Sequence, residues 1–273
     1  MSKRANMLNF TAVTSFTDQT GHTITLQSVP ERIVSIVPSQ SELLWDMGLH
    51  DELKGISKFC IHPDKMFRTV QRVGGTKQLD IEKIRALRPQ LIIGNKEENE
   101  KTQIETLRKE FNVWMSDIYN FDDAIEMMRA LGNITGKNQE AEVIVNKVKD
   151  SISSIKNIFN GETVAYFIWK DPYMLAAGNT FINHALKHLG LVNVAGSMLR
   201  YPEISVEDIR KIKPAYCFLS SEPYPFSEKH LPEIQRQIPD SKIVLVDGEM
   251  FSWYGSRLIM LPQYLEKLKT ELV

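Results

Sequence analysis

Two stretches of this chain, 125 residues apart, follow one design. Residues 79–89 and 204–214 each run from an apolar residue and a polar cap through a short helix-like segment to a proline. Glu82, Ile84, Arg85 and Pro89 recur as Glu207, Ile209, Arg210 and Pro214. Asp80 and Ser205 stand at the N-cap position, where a side-chain oxygen accepts an otherwise unpaired N–H of the first turn. The prolines stop the helix, because they lack an N–H and clash with the preceding turn. Apolar runs follow directly, residues 91–93 after the first stretch and 215–219 after the second. A capped helix feeding a buried strand, present twice, predicts two similar α/β lobes. The pattern is also a common way to lead into a strand, so shared local grammar stays open as its cause. Glu82 and Glu207 carry a structural reading too, since a first-turn acid complements the helix dipole by roughly 0.3–1 kcal/mol when exposed.

Strands and helices alternate through the rest of the chain. Residues 16–28 hold a turn at Gly21 and the alternation Thr23, Ile24, Thr25, Leu26, which predicts a small hairpin. Residues 33–37 form a β-branched apolar run, read as a buried strand. Ser39 and Glu42 have capping-box spacing ahead of Leu43, Leu44 and Met47, and Gly48 closes the helix. A strand at 91–93, a polar helix at 102–110 and a strand at 113–115 follow, and such alternation predicts a parallel sheet. A helix from Asp122 to Gly132 precedes a long amphipathic one at 138–159. The stripe Ala141, Ile144, Val148, Ile152, Ile155, Phe159 gives that helix about 20 residues, or ~30 Å. The alternation then restarts, with strands at 164–169, 215–219 and 243–246 and a helix at 180–189 closed by Gly190. Leu258, Leu261, Leu265, Leu268 and Leu272 mark a last helix, kinked at Pro262 or starting beside it. The expected division is an N-terminal lobe at 16–120, connecting helices at 121–160 and a C-terminal lobe at 161–273.

Charge and motif content narrow the function classes. A formal net charge of −1 over 273 residues gives no broad basic face for nucleic acid. No apolar run reaches the ~18 residues of a membrane span. The N-terminus has Lys3 and Arg4 but no apolar signal-peptide core, so an export signal has been removed or export by that route does not occur. Cys60 and Cys217 cannot build a multi-cysteine zinc site, and they read as two separate buried thiols, with a disulfide left open. His184 and His188 share a helix face, but the apolar stripe Phe181, Ala185, Leu189 accounts for that helix without a metal. No Walker A run, dinucleotide fingerprint, nucleophile elbow or zinc-protease motif is present. The expectation is a binder with no metal and no cofactor, not an enzyme.

Aromatic side chains gather at the expected strand ends of the second half: Trp169, Tyr173, Tyr201, Tyr224, Phe226, Phe251, Trp253 and Tyr254. Flat rigid rings cover a large ligand at small entropic cost, and open α/β sheets bind ligands beyond the carboxyl ends of their strands. Tyr173, Tyr201 and Trp253 are the favoured ligand contacts, each in a loop with Pro or Gly nearby. The alternative for each is a place in the core. Residues 220–226, with Pro223 and Pro225, read as a stiff loop at a site edge or as a plain connector. Arg257 either meets an acidic arm of a ligand or ties the last helix to a backbone carbonyl.

These residues resemble the helical-backbone substrate-binding proteins of ABC importers, which carry cobalamin, haem and iron–siderophore complexes. The landmarks are residues 31–44, Val73-Gly74-Gly75, residues 81–89, residues 177–182 and residues 201–205, and the match runs from about Asp18 to the C-terminus. Members that carry cobalamin are similar along the whole length. The resemblance implies an α/β fold of two Rossmann-like lobes with central parallel sheets, joined by a single long backbone helix, with the ligand in a shallow cleft between lobes. It implies that Glu82 and Glu207 dock onto arginines of the permease. It places Phe59, Tyr173 and Tyr201 at or near aromatic ligand contacts and Glu249 at an acid, whereas Thr76 and Asn95 stand near positions of tryptophan and Trp253 near a base. The implied ligand is cobalamin or a ferric siderophore, the implied partners are the ABC permease and ATPase, and the protein is expected to act as a monomer. The implied location is periplasmic or membrane-associated. A non-exported carrier or sensor of the same fold is the alternative, and a two-lobed glycosyltransferase-like enzyme a more distant one.

Overall fold

The structure, a computed structural model, describes residues 13–272. The reading of the first ten residues lies outside them. The chain divides into two compact units. One comprises residues up to Asp117 with Asp123–Lys147 and Tyr254–Arg257; the other comprises Ile118–Asp122, Val148–Trp253 and the residues from Leu258 onward.

The first unit opens with β1 (Thr14–Thr17) and β2 (Thr23–Leu26), an antiparallel hairpin that pairs Phe16 with Ile24. Then come β3 (Ile33–Ser35), α1 (Pro38–Asp46), β4 (Leu53–Ile56), α2 (Asp64–Thr69), β5 (Gln71–Arg72), α3 (Ile81–Leu87), β6 (Leu91–Asn95), α4 (Lys101–Arg108) and β7 (Val113–Ser116). The sheet order is β5-β4-β3-β6-β7, parallel throughout. Its strands read as apolar runs because helices cover a parallel sheet on both faces. Val34, Ile92, Val113 and Met115 from the strands, with Ile36 just past β3, pack with Ile84 of α3 and Ile104 and Leu107 of α4.

Two helices follow, α5 (Phe121–Ile134) and α6 (Asn138–Ser154). The long helix is 17 residues, about 25 Å, and stops five residues before the apolar stripe does. Ile155 and Phe159 are still buried, but outside a helix. The amides of Asn157 and Phe159 donate to the carbonyls of His188 and Leu189 instead, and Asn157 sits at φ 53°. Those carbonyls end another helix and lack partners within it, so a tertiary pairing replaces the last helical turn. Residues 138–147 of α6 belong to the first unit and 148–154 to the second. The chain also passes between units at residues 118–122 and 254–257.

The second unit contains β8 (Thr163–Trp169), β9 (Met174–Leu175), α7 (Phe181–His188), β10 (Val192–Asn193), α8 (Val206–Ile212), β11 (Tyr216–Ser220), α9 (Leu231–Gln237), β12 (Lys242–Val246), α10 (Gly248–Ser252) and α11 (Leu261–Leu272). Its parallel order is β10-β8-β11-β12, with β9 antiparallel on β8. Pro262 is the second residue of α11, so the proline starts the helix rather than kinking it.

The 125-residue offset holds in three dimensions. α3 and α8 begin and end at matching positions, as do β6 and β11. Asp80 accepts from the Lys83 amide and Ser205 from the Asp208 amide, the caps expected. Each helix ends in a left-handed residue, Arg88 at φ 48° and Lys213 at φ 52°, just before its proline. β6 lies between β3 and β7, and β11 between β8 and β12.

The capping box expected at Ser39 and Glu42 is absent. Val37 is the N-cap of α1, without a side-chain cap, and Pro38 opens the helix. Proline at the first helical position needs no N–H partner and arrives with a helical φ, so the helix begins two residues earlier than a Ser39 cap would allow.

Candidate functional site

Glu82 and Glu207 occupy the first turns of α3 and α8, with side chains 80% and 77% exposed. Each helix is fixed from below by one fully buried isoleucine, Ile84 or Ile209. The acids are therefore displayed on anchored helices, not on loops. Glu82 accepts from Arg85 Nη1 at 2.5 Å, and Glu207 meets Lys211 Nζ at 3.2 Å.

The loops beyond the strand ends hold the expected ligand contacts, in very different settings. Phe59, after β4, is 50% exposed. The Lys58 ammonium lies 5.0 Å from its ring centroid. The pair rests on Gly75, where an added Cβ would meet Lys58 and Phe59 atoms at 3.2 and 3.3 Å. Asn95 is buried, donates to the Ser116 hydroxyl, and accepts from the amides of Glu97 and Glu98. The Thr76 carbonyl accepts from Asn99 Nδ2.

In the second unit Tyr173 is half-buried against the core. Its hydroxyl donates to Gln237 Oε1 at 3.2 Å, its ring meets Phe167 edge-on, and burial raises its pKa. Tyr201 is half-buried, with the Arg200 guanidinium 5.4 Å from its centroid. Backbone bonds from Ile204 to Tyr173 and from Leu175 to Pro202 bring the Tyr173 and Tyr201 segments side by side. Glu249 and Trp253 share the short helix α10 and its C-cap. Trp253 is 5% exposed, and its indole N–H donates to Glu222 Oε1 at 3.0 Å; Ser252 donates to the same oxygen. Glu222, in the loop after β11, is thus an acceptor that the sequence reading passed over. Its only signal was a place between two serines and a proline. Trp169, by contrast, is 40% exposed, with Tyr224 edge-on at 5.6 Å.

Arg257 is 6% exposed. Its Nε and Nη2 donate to the two oxygens of Glu42 at 2.9 and 2.7 Å. The partner is a carboxylate of the protein, where the sequence reading weighed a ligand acid against a backbone carbonyl. Burial raises the Glu42 pKa, and Arg257 opposes that shift. The neighbours of Arg257 are committed in the same way. Ser256 donates to Asp46, Gly255 lies against the Ser39 carbonyl, where a Cβ would come to 2.6 Å, and the Tyr254 hydroxyl donates to Glu98. Ser39, Glu42 and Asp46 share one face of α1, so residues 254–257 form a clasp along that helix. Burial holds the Tyr254 phenol well above its usual pKa. Cys60 and Cys217 are both free and buried, and burial pushes their pKa values up to about 11 and about 12. Among the described residues no group of three or more His, Cys, Asp or Glu side chains is placed to hold a metal ion.

The family described as periplasmic binding protein matches residues 33–241. A cobalamin-binding protein of Halobacterium salinarum is 27% identical over 201 residues, 70% of this chain. This chain covers 54% of that relative, about half its length. The solved periplasmic vitamin B12-binding protein BtuF of Vibrio cholerae superposes with a TM-score of 0.72 at 20% identity, covering 88% of this chain and 98% of that one. The periplasmic heme-binding protein RhuT of Roseiflexus sp. RS-1 superposes with a TM-score of 0.74 at 18% identity, covering 89% and 97%. Both show the same fold.

Proposed function

The chain belongs to the periplasmic binding protein family, and we propose that it is the substrate-binding component of an ABC importer that captures a corrinoid or an iron–siderophore complex. The observation that carries this reading is the pair of exposed acids, Glu82 and Glu207, at matching positions of two matching helices. A partner built from two like subunits presents two like cationic patches, and complementary charge on a rigid support sets both steering and register. The partner in this reading is the permease with its ATPase. Relatives named as cobalamin-binding support the corrinoid class. A place in the periplasm or at a membrane follows from the same reading.

Ligand contact is assigned to the segments beyond the strand ends: Phe59 in the first unit, and Tyr173, Tyr201 and, on and at the end of α10, Glu249 and Trp253 in the second. Phe59 has the most exposed face to offer a flat ligand. Trp253 and Tyr173 contribute through shape, since their polar atoms already have partners. Arg257 belongs to this set only indirectly, by holding α1 through Glu42.

Tryptophan fluorescence titrated with cobalamin, ferric siderophores and haem tests the ligand. Saturable quenching by one of them is expected, and binding of none would remove the reading. The Glu82→Ala/Glu207→Ala variant tests the partner. Ligand affinity should survive while transport by the reconstituted importer falls about tenfold or more, as expected for lost charge complementarity across an interface. Unchanged transport would refute the docking role.

A further inference from the structure

The two exposed acids differ in what already holds them. In the first unit the Arg85 guanidinium is shared. Nη1 goes to Glu82, while Nε and Nη2 go to the carboxylate of Glu110, just past α4. Glu110 is held below the ordinary carboxylate range by that contact. In the second unit the matching residue, Arg210, turns its Nε to the Gln237 carbonyl at the end of α9. Glu207 is left to Lys211, four residues on, whose ammonium also lies 3.7 Å from Asp208.

These arrangements are not equivalent. Arg85 is a planar fork clamped between two carboxylates, and Lys211 is a point charge on a flexible stem with 66% of its side chain exposed. Exposed i,i+4 lysine pairs are weak and exchange readily with other cations. A cation arriving at Glu207 displaces one mobile ammonium. A cation arriving at Glu82 competes with a guanidinium that Glu110 holds in place.

We propose that Glu82 and Glu207 are unequal half-sites for one cationic partner, with Glu207 engaging it directly and Arg85 acting as a built-in competitor at Glu82. The partner chemistry is a pair of arginine-bearing surfaces, and the inequality makes the Glu207 half-site contribute more to binding than the Glu82 half-site. This rests on the docking role proposed above. Arg85 is a positioning residue here, and Glu110 sets how tightly it competes.

Binding of the full chain to its permease–ATPase complex in lipid nanodiscs, followed by interferometry at low salt, tests the idea. Glu207→Gln should weaken binding about two- to fivefold more than Glu82→Gln, the range over which exposed ion pairs act. Arg85→Gln should tighten binding by a similar factor and make Glu82→Gln as damaging as Glu207→Gln. Glu110→Gln should do the reverse, because it leaves Arg85 wholly to Glu82; a loss of stability in unit one would not give these two variants opposite signs. The differences should shrink in 1 M salt, where the Debye length is about 3 Å. Equal losses for Glu82→Gln and Glu207→Gln, with Arg85→Gln neutral, would overturn the inequality and leave the docking role standing. Loss in neither glutamate variant would overturn the docking role and this inference with it.

Discussion

The α3–β6 and α8–β11 segments share cap position, helix length, left-handed terminus, proline and strand, yet their surfaces are wired differently. Each nine-residue stretch, 80–88 and 205–213, carries two acids and three bases. The same arginine nevertheless faces a carboxylate in one copy and a carbonyl in the other. Local structure is inherited with the segment, whereas the reach of a long side chain depends on what the neighbouring helix end presents. The units differ in a second way. The first is clasped along α1 by residues 254–257, which come from far along the chain.

The largest test of the likeness is Ile84→Ala against Ile209→Ala. Both side chains are fully buried under their helices. Each change should cost about 2–5 kcal/mol in urea unfolding, by lost burial plus the cavity left behind. A cost near zero for one of them would mean that its copy is not anchored as the other is. Arg257→Met probes the difference. It strands Glu42 in a buried site, so a loss of about 3–5 kcal/mol is expected. Adding Glu42→Leu should recover most of it, because an apolar pair needs no compensating charge. A single variant as stable as the parent would show that the clasp does not hold the unit.

The smallest effect separates the caps by pH. Lys83, through its side chain and its amide, lowers the Asp80 pKa below its ordinary value of 3.8. A lowered carboxyl stabilises the fold above its unfolded pKa and loses that contribution as pH falls through the folded one. The Ser205 hydroxyl does not titrate in this range. Amide exchange, corrected for intrinsic rates, should therefore show the α3 first turn losing protection as pH falls below about 3.8, before α8 does. Parallel loss in both helices would place the cause outside the cap.

Much of this architecture was legible in the residues. Asp80 and Ser205 act on amides three positions away, so their role needs nothing but the local chain. The β-branched runs became parallel strands because such runs bury equally well on both faces. The readings that failed involved a competitor. Ser39 and Glu42 had capping-box spacing, but Pro38 moved the helix start and Arg257 took the carboxylate. Ile155 and Phe159 continued the helical stripe, but the carbonyls of His188 and Leu189 claimed the backbone beyond Ser154. Trp253 reads as a loop residue in the sequence, whereas it caps α10 and its indole donates to Glu222, thirty-one residues earlier.

What the sequence determined by itself was the pair of capped helices with their strands, the alternation that demands parallel sheets, and the two acids on matching turns. Those features depend on contacts within one helical turn or on the period of burial, and both are written along the chain. Only the tertiary structure decided what else Arg85 and Arg210 hold, why Arg257 is buried, and where the long helix stops. These depend on groups between twenty-five and more than two hundred residues apart, such as Arg85 with Glu110 and Glu42 with Arg257. A side chain chooses such a partner by distance and desolvation, and neither quantity exists until the chain has folded.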